Sequence, residues 1–335
     1  MARLRVFAFC ILSAACRTED AAPADAGAPK EARLSFVFAD ADPLETGPSA
    51  DVPRPEPIVP ESRLASYAHA SPRALKSIGH TSVVFRVDFS DGQRAAYKPE
   101  SRRGHRRYRG EIAAFRLAKL LDLPNVPAAG LRVFSRAALR AAASSNARAL
   151  SLFDDEVVDR GGFVFGSLVP WIEKLEFTPV ESPIERARWE KELRRGEAIA
   201  EDRRTLDAQI STLVVFDALT GNWDRWSGAN VGIDRATGTL LFVDNDAAFF
   251  DPIPPAFKPQ MALVRGVDRF SRSLVARLRA VDAIALADAF GDEEPGSPLL
   301  AARVVAACDE RRKDVLAIVD QKIAALGDAA VLYFP

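Results

Sequence analysis

From Val83 to Pro99 short apolar stretches stand on either side of a polar break: Val83, Val84, Phe85, Val87 and Phe89 precede Ser90-Asp91-Gly92-Gln93, and Ala95, Ala96 and Tyr97 follow it. Apolar runs around a Gly-containing turn predict a β-hairpin ending on Lys98, where Pro99 stops the ladder. The period changes at Glu111. Ile112, Phe115 and Leu120, with Ala113 and Leu117, recur at helical spacing and predict an amphipathic helix over residues 111–121. Strands follow at residues 129–134 and 162–169, separated by an Ala-rich insert containing Asp154-Asp155-Glu156. Beyond them the pattern turns helical, over residues 184–200, 203–219, 271–278, 281–289 and 299–326. In residues 203–219, Leu206, Ile210, Leu213, Val214, Phe216 and Leu219 make a broad apolar face that delivers the chain to Gly221. One further hairpin interrupts the helices, because residues 231–243 read as strand, Asp-Arg-Ala-Thr-Gly turn, strand. These elements predict an α+β chain in two lobes, a small β-rich lobe over residues 61–173 and a mostly helical one over residues 174–335.

The chemistry-bearing residues cluster at the ends of the elements. Gly221-Asn222-Trp223-Asp224-Arg225-Trp226-Ser227-Gly228-Ala229-Asn230 enters the second hairpin, and Val243-Asp244-Asn245-Asp246 leaves it. A hairpin holds its two ends side by side, so Asp224 and Asn230 are expected to face Asp244 across one pocket. Carboxylate and amide oxygens suit a hard divalent cation such as Mg or Mn. Phosphoryl transfer asks little more of a protein: an Asp to orient the attacking hydroxyl, oxygens for the metal and a cation on the phosphates. Lys98 is the candidate cation, held in place at the end of a strand. A helix opening on Glu111 can bring that carboxylate to Lys98.

Residues 1–16 have Arg3 and Arg5 before a short apolar run that ends in small residues, the pattern of a secretory signal, and Leu12-Ser13-Ala14-Ala15-Cys16 approximates a lipoprotein cleavage site. Residues 17–60 are rich in Ala, Asp, Glu and Pro and predict a disordered tether. These segments predict an exported chain, in a bacterial periplasm or at a cell surface, that meets a membrane only through a lipid at Cys16. With 45 basic against 46 acidic residues, charge gives no reason to expect a nucleic-acid partner. Only Cys308 lies outside the leader, which excludes a disulfide within the folded part. The histidines His69, His80 and His105 have no zinc-ligand spacing.

Lys98-Pro99, the block from Gly110 to Pro127 (GEIAAFRLAKLLDLPNVP), GNWDRW and VDNDAAFF together resemble the atypical kinases of the Golgi secretory pathway, of the Four-jointed and casein-kinase type, and their bacterial relatives. More distantly the chain resembles the HipA toxin kinases and the phosphoinositide kinases. The resemblance spans roughly residues 75–325 and implies a two-lobed protein-kinase-like fold using ATP with Mg or Mn. It implies that Lys98 contacts the phosphates, that Glu111 pairs with it, that Asp224 is the catalytic aspartate, and that Asp244 and Asn230 bind metal. By position it implies a hinge at residues 168–172, with Leu168 and Trp171 lining the base pocket. The acceptor would be a protein Ser/Thr or a sugar hydroxyl.

The chain departs from that pattern at three places. Trp226 stands where many relatives have His, Asn230 follows Asp224 by six residues rather than five, and the phosphate loop Gly79-His80-Thr81-Ser82 has one glycine, leaving hydroxyls such as that of Ser82 to meet phosphate. Those departures, with the scarcity of ATP outside the cytoplasm, keep open a catalytically inactive pseudokinase or ligand-binding module. An envelope lipoprotein whose acidic loops hold a structural cation also remains open. Simpler readings apply to several residues: Asp224 and Asn222 as turn formers, Asp234 and Arg235 as hairpin turn, Trp223 and Trp226 as packing, and the Arg-rich stretch 102–109 as a solvated loop.

Overall fold

Both hairpins form, and each sits in a larger sheet than the local pattern announces. The computed structural model describes residues 60–79, 82–250 and 259–335. The leader and nearly all of the Pro/Ala/acidic tract, together with His80, Thr81 and Asp251, lie outside the described residues. A short helix α1 (Ser62–Ser66) leads into β1 (Pro72–Ser77), β2 (Phe85–Phe89), β3 (Arg94–Pro99), helix α2 (Tyr108–Leu120), β4 (Gly130–Ser135), α3 (Arg136–Ala143), α4 (Ala147–Glu156) and β5 (Phe163–Pro170). The five strands form an antiparallel sheet of order β1-β2-β3-β5-β4. β1 has no alternation of its own to mark it, and it enters by pairing with β2.

One face of this sheet is apolar because its strands alternate. Leu75, Phe85, Val87, Phe89, Tyr97, Val164 and Leu168 are buried there against Leu139 of α3 and Phe153 of α4. The Ala-rich insert is thus two helices that roof the sheet. Each starts at a side-chain cap: Ser135 accepts from Ala138 N (3.1 Å) and Asn146 from Ala149 N (2.9 Å), worth about 1 kcal/mol apiece.

The second half runs β6 (Leu175–Phe177), α5 (Pro183–Glu192), α6 (Arg204–Thr220), β7 (Val231–Asp234), β8 (Thr239–Phe242), α7 (Pro259–Gly266), α8 (Arg272–Ala280), α9 (Ala283–Phe290), the short pair β9 (Asp292–Glu294) and β10 (Ser297–Pro298), and α10 (Ala302–Leu326). The helix expected over 184–200 stops at Glu192. Its apolar periodicity lapses after Leu193, and the chain turns at Gly196 with φ +84°. The Asp234 turn is as expected: its carboxylate accepts from Ala236 N (3.0 Å) and Thr237 Oγ1 (3.2 Å).

Helix α2 begins at Tyr108, earlier than its sequence pattern suggests, and Ile112, Phe115 and Leu117 join Ile210, Leu213, Val214 and Phe216 of α6 in the larger core. At about 1.5–3 kcal/mol for each fully buried large apolar side chain, that face holds α2 firmly to the helical half. Close approach is built in at Gly110, where a Cβ would lie 2.6 Å from the Asn245 carbonyl oxygen.

Candidate active site

The pleat of the sheet decides which residues look into the space between the lobes. Lys98 pairs with Ser167, Ala96 lies between Arg86 and Val169, and Arg94 pairs with Asp88 while its carbonyl accepts from Trp171 N (3.0 Å). These rows share the face of Lys98, because alternate residues of a strand point the same way. Leu168 is one residue out of phase. It pairs with Tyr97 and is buried in the opposite, roofed face, so the expectation that it lines a pocket on the cleft side is corrected: the neighbouring Val169 is the residue on the face of Lys98. Trp171 does stand on the cleft face, with the Arg86 guanidinium 5.7 Å from its ring centroid.

Lys98, Glu111 and Asp244 meet. Lys98 Nζ donates to Glu111 Oε1 at 2.5 Å and to Asp244 Oδ1, with Asp246 Oδ2 at 3.6 Å. Burial by itself would lower the ammonium's pKa, but Asp244, Glu111 and Asp246 outweigh it and raise it well above the ordinary lysine value. Burial likewise works to raise Asp244, yet Lys98 prevails and holds that carboxyl below the usual range. Glu111 stays raised, because burial and the nearby Asp244 outweigh the help of Lys98. Asp244 also has a left-handed backbone, φ 58°, a conformation that costs on the order of 1 kcal/mol and gathers at functional sites.

Glu111 is held from its other side, accepting from Asn245 N at 2.8 Å. Asp246 is gripped by Arg107 (2.6 Å), whose guanidinium lies 5.5 Å from the Trp223 ring centroid. Arg109 and Tyr108 both donate to Glu293 of β9. The 102–109 stretch is therefore more than the solvated loop expected, since Arg107, Tyr108 and Arg109 pin α2 to the helical half. Ser82, Lys98, Ser101, Arg107 and Asp246 line a cleft of about 190 Å³.

The two acidic loops are joined through Arg225, which is wholly buried. Its Nε donates to both oxygens of Asp217 (3.1 and 3.2 Å), Nη1 to the carbonyls of Asn230 (2.6 Å) and Val243, and Nη2 to Asn245 Oδ1 (2.5 Å). Burial pushes the Asp217 carboxyl up to about 6 although Arg225 pulls it down. Asp217 lies near the end of α6, where Gly221 takes φ 62° and its N donates to the Asp217 carbonyl (2.8 Å). Asn230 donates from Nδ2 to the Asp224 carbonyl (2.7 Å) and Asn222 accepts from Asp224 N (3.1 Å), so the Asp224 loop is braced from both ends. Trp226 packs on Trp189, ring centroids 5.6 Å apart.

Arg225, Asp217, Asn245, Asp246 and Arg86 receive no role from the sequence pattern, and Arg107 reads there only as part of a solvated loop. One signal was available: a lone Asp within Val214-Val215-Phe216-Asp217-Ala218-Leu219 calls for a buried cation. Among the described residues no group of three or more His, Cys, Asp or Glu is placed to hold a metal ion unaided. The oxygens of Asp244, Glu111 and Asn230 are nonetheless hard donors of the type Mg and Mn take, and phosphates commonly complete such sites. The donor set fits.

A five-stranded antiparallel sheet with a buried Lys–Glu pair, above a helical half that presents two acidic loops, defines a protein of the two-lobed kinase-like class, mixed α+β. The family described as Four-jointed box protein middle domain matches residues 79–253, more than half of the chain. The chain belongs to that family. Among solved structures the Golgi casein kinase aligns with TM-score 0.61 and 16% identity, over 81% of this chain and 78% of that one. The Golgi casein kinase with Mn/ADP bound gives 0.59 and 17% over the same shares, and the hydra Fam20 structure with sugar gives 0.58 and 18% over 80% and 90%. At these identities the likeness is one of fold. No curated protein matches the chain.

Proposed function

We propose that this protein is an exported phosphotransferase that moves the γ-phosphate of ATP to a hydroxyl, of a protein Ser/Thr or a sugar. The observation that carries the reading is the convergence of Lys98, Glu111 and Asp244 beside a braced Asp224 loop. Lys98 turns from Asp244 to the phosphates when nucleotide enters, and Glu111 keeps hold of it. Asp244 and Asn230 would hold a divalent cation, which would supply positive charge to offset that of the transferred phosphoryl group. Mn is the first choice to test, because a solved structure of the same fold carries Mn and ADP. Asp224 accepts the hydrogen bond of the acceptor hydroxyl and aims its oxygen in line. Residues 1–16 export the chain, and a lipid on Cys16 holds it to a membrane surface.

The test is calorimetric titration of ATP with Mn into wild type, Asp244→Ala and Asp224→Ala, beside transfer of labelled γ-phosphate to casein and to a panel of free sugars. Asp244→Ala is expected to lose binding, and Asp224→Ala to bind but lose transfer by about a hundredfold or more. Equal turnover by Asp224→Ala would sink the assignment. A non-catalytic nucleotide sensor is the second reading, favoured by Trp226, which packs on Trp189 and has no acceptor atom for a proton. Binding without turnover for any hydroxyl acceptor would select it.

A further inference from the structure

The face of the sheet that carries Lys98 also carries an arginine, Arg86, one row further along. Lys98, Ala96 and Arg94 follow one another along β3 on this face, about 7 Å per step. A triphosphate held at Lys98 with its nucleoside toward Trp171 would lay its base under the next row. Ala96 at the middle of that row leaves room beneath it, and its two neighbours are Val169 and Arg86.

Arg86 is prepared as a flat surface. Its Nε and Nη2 donate to Asp88 Oδ1 and Oδ2 at 2.9 and 3.0 Å. That bidentate bond commits one edge of the guanidinium and fixes its plane, and Trp171 backs it at 5.7 Å. The side chains of Arg86 and Asp88 remain 21% and 16% exposed, on the face of the sheet that carries Lys98. Whatever this part-buried pair adds to stability, a guanidinium of fixed plane is a good stacking partner for a π-system.

We propose that Arg86, aligned by Asp88 and backed by Trp171, is the stacking wall that recognises the nucleobase of a purine nucleoside triphosphate. The inference rests on the kinase reading above and deepens it, by assigning the base contact to a cationic wall where Leu168 had been expected to supply an apolar one. Its signature is a contribution to binding that depends on the base and is indifferent to the phosphates.

The experiment compares the full-length wild type, Arg86→Ala and Arg86→Lys with two probes, ATP and inorganic tripolyphosphate, each with Mn. Arg86→Ala is expected to weaken ATP about tenfold and leave tripolyphosphate unchanged. Arg86→Lys should stay close to the alanine variant, since an ammonium has no plane to stack. Unchanged or tighter ATP binding by Arg86→Ala overturns the proposal. So does an equal loss for both probes, which would make Arg86 a phosphate contact or a structural residue. If wild type binds neither probe, the kinase reading falls and this inference with it. If Asp244→Ala abolishes binding of both probes while Arg86→Ala changes neither, only the stacking assignment falls.

Discussion

Arg225→Ala is the perturbation that best probes how the two acidic loops are held together. The guanidinium is shared by α6, through Asp217, by the strand entry at Asn230, and by Val243 and Asn245 of the second loop. Removing it strands Asp217, which is 1% exposed, and breaking a buried ion pair from one side costs roughly 3–5 kcal/mol. For a chain of this size that is a fall in Tm on the order of 10 °C. The deficit should depend on pH. The Asp217 carboxyl, pushed up to about 6 in the fold, takes a proton more readily there than in the unfolded chain, at about 3.9. Its favourable contribution is therefore complete below about pH 4 and is lost as pH rises through 6. Without Arg225 the folded pKa moves higher still, so the variant's deficit grows between pH 5 and 7.5 and shrinks on acidification. Urea unfolding at those two pH values reads it. A second variant separates stability from positioning: Arg225→Met with Asp217→Leu removes both charges and is expected to recover most of the stability. It still lacks the bonds to Asn230, Val243 and Asn245, so turnover should remain down on the order of a hundredfold. A deficit below about 1 kcal/mol, or one independent of pH, would refute the argument for stability; full activity in the double variant would refute the positioning role.

Two further outcomes follow from the same geometry. Lys98→Met leaves Glu111 and Asp244 facing each other without the ammonium between them. Mn alone should then bind about tenfold tighter or more, since a neighbouring unit charge contributes a few kcal/mol at moderate effective dielectric, while ATP no longer enhances Mn binding; unchanged Mn affinity by electron paramagnetic resonance would count against the site. Gly110→Val places carbon against the Asn245 carbonyl, 2.6 Å from the Cβ position. It should cost about 1–3 kcal/mol and weaken ATP binding, and a variant that melts and binds like wild type would show that α2 and the Asp244 loop can separate freely.

The candidate residues that the structure brings together were more legible than their supports. Lys98 and Asp244 sit at element ends marked by turn residues and prolines, and Glu111 opens a stretch with an unmistakable helical period, so local rules find them. Leu168 was misplaced because a one-residue change of phase in a strand exchanges its two faces, and an apolar run such as Phe163-Val164-Phe165-Gly166-Ser167-Leu168-Val169 carries no alternation to set that phase. β1 and β6 were missed for a related reason: each is recruited by a neighbour, β2 and β7, and neither has a strong pattern of its own.

By itself the sequence determined the hairpins, the long helices and the order Lys98, Glu111, Asp224, Asn230, Asp244, because turn chemistry and periodicity act over a few residues. Only the tertiary structure decided that α2 belongs to the larger core, that Arg107 and Arg109 pin it there, and that Arg225 satisfies Asp217 while clasping both loops. A buried charge must be paired, but its choice of partner depends on which distant segments packing brings within hydrogen-bond reach.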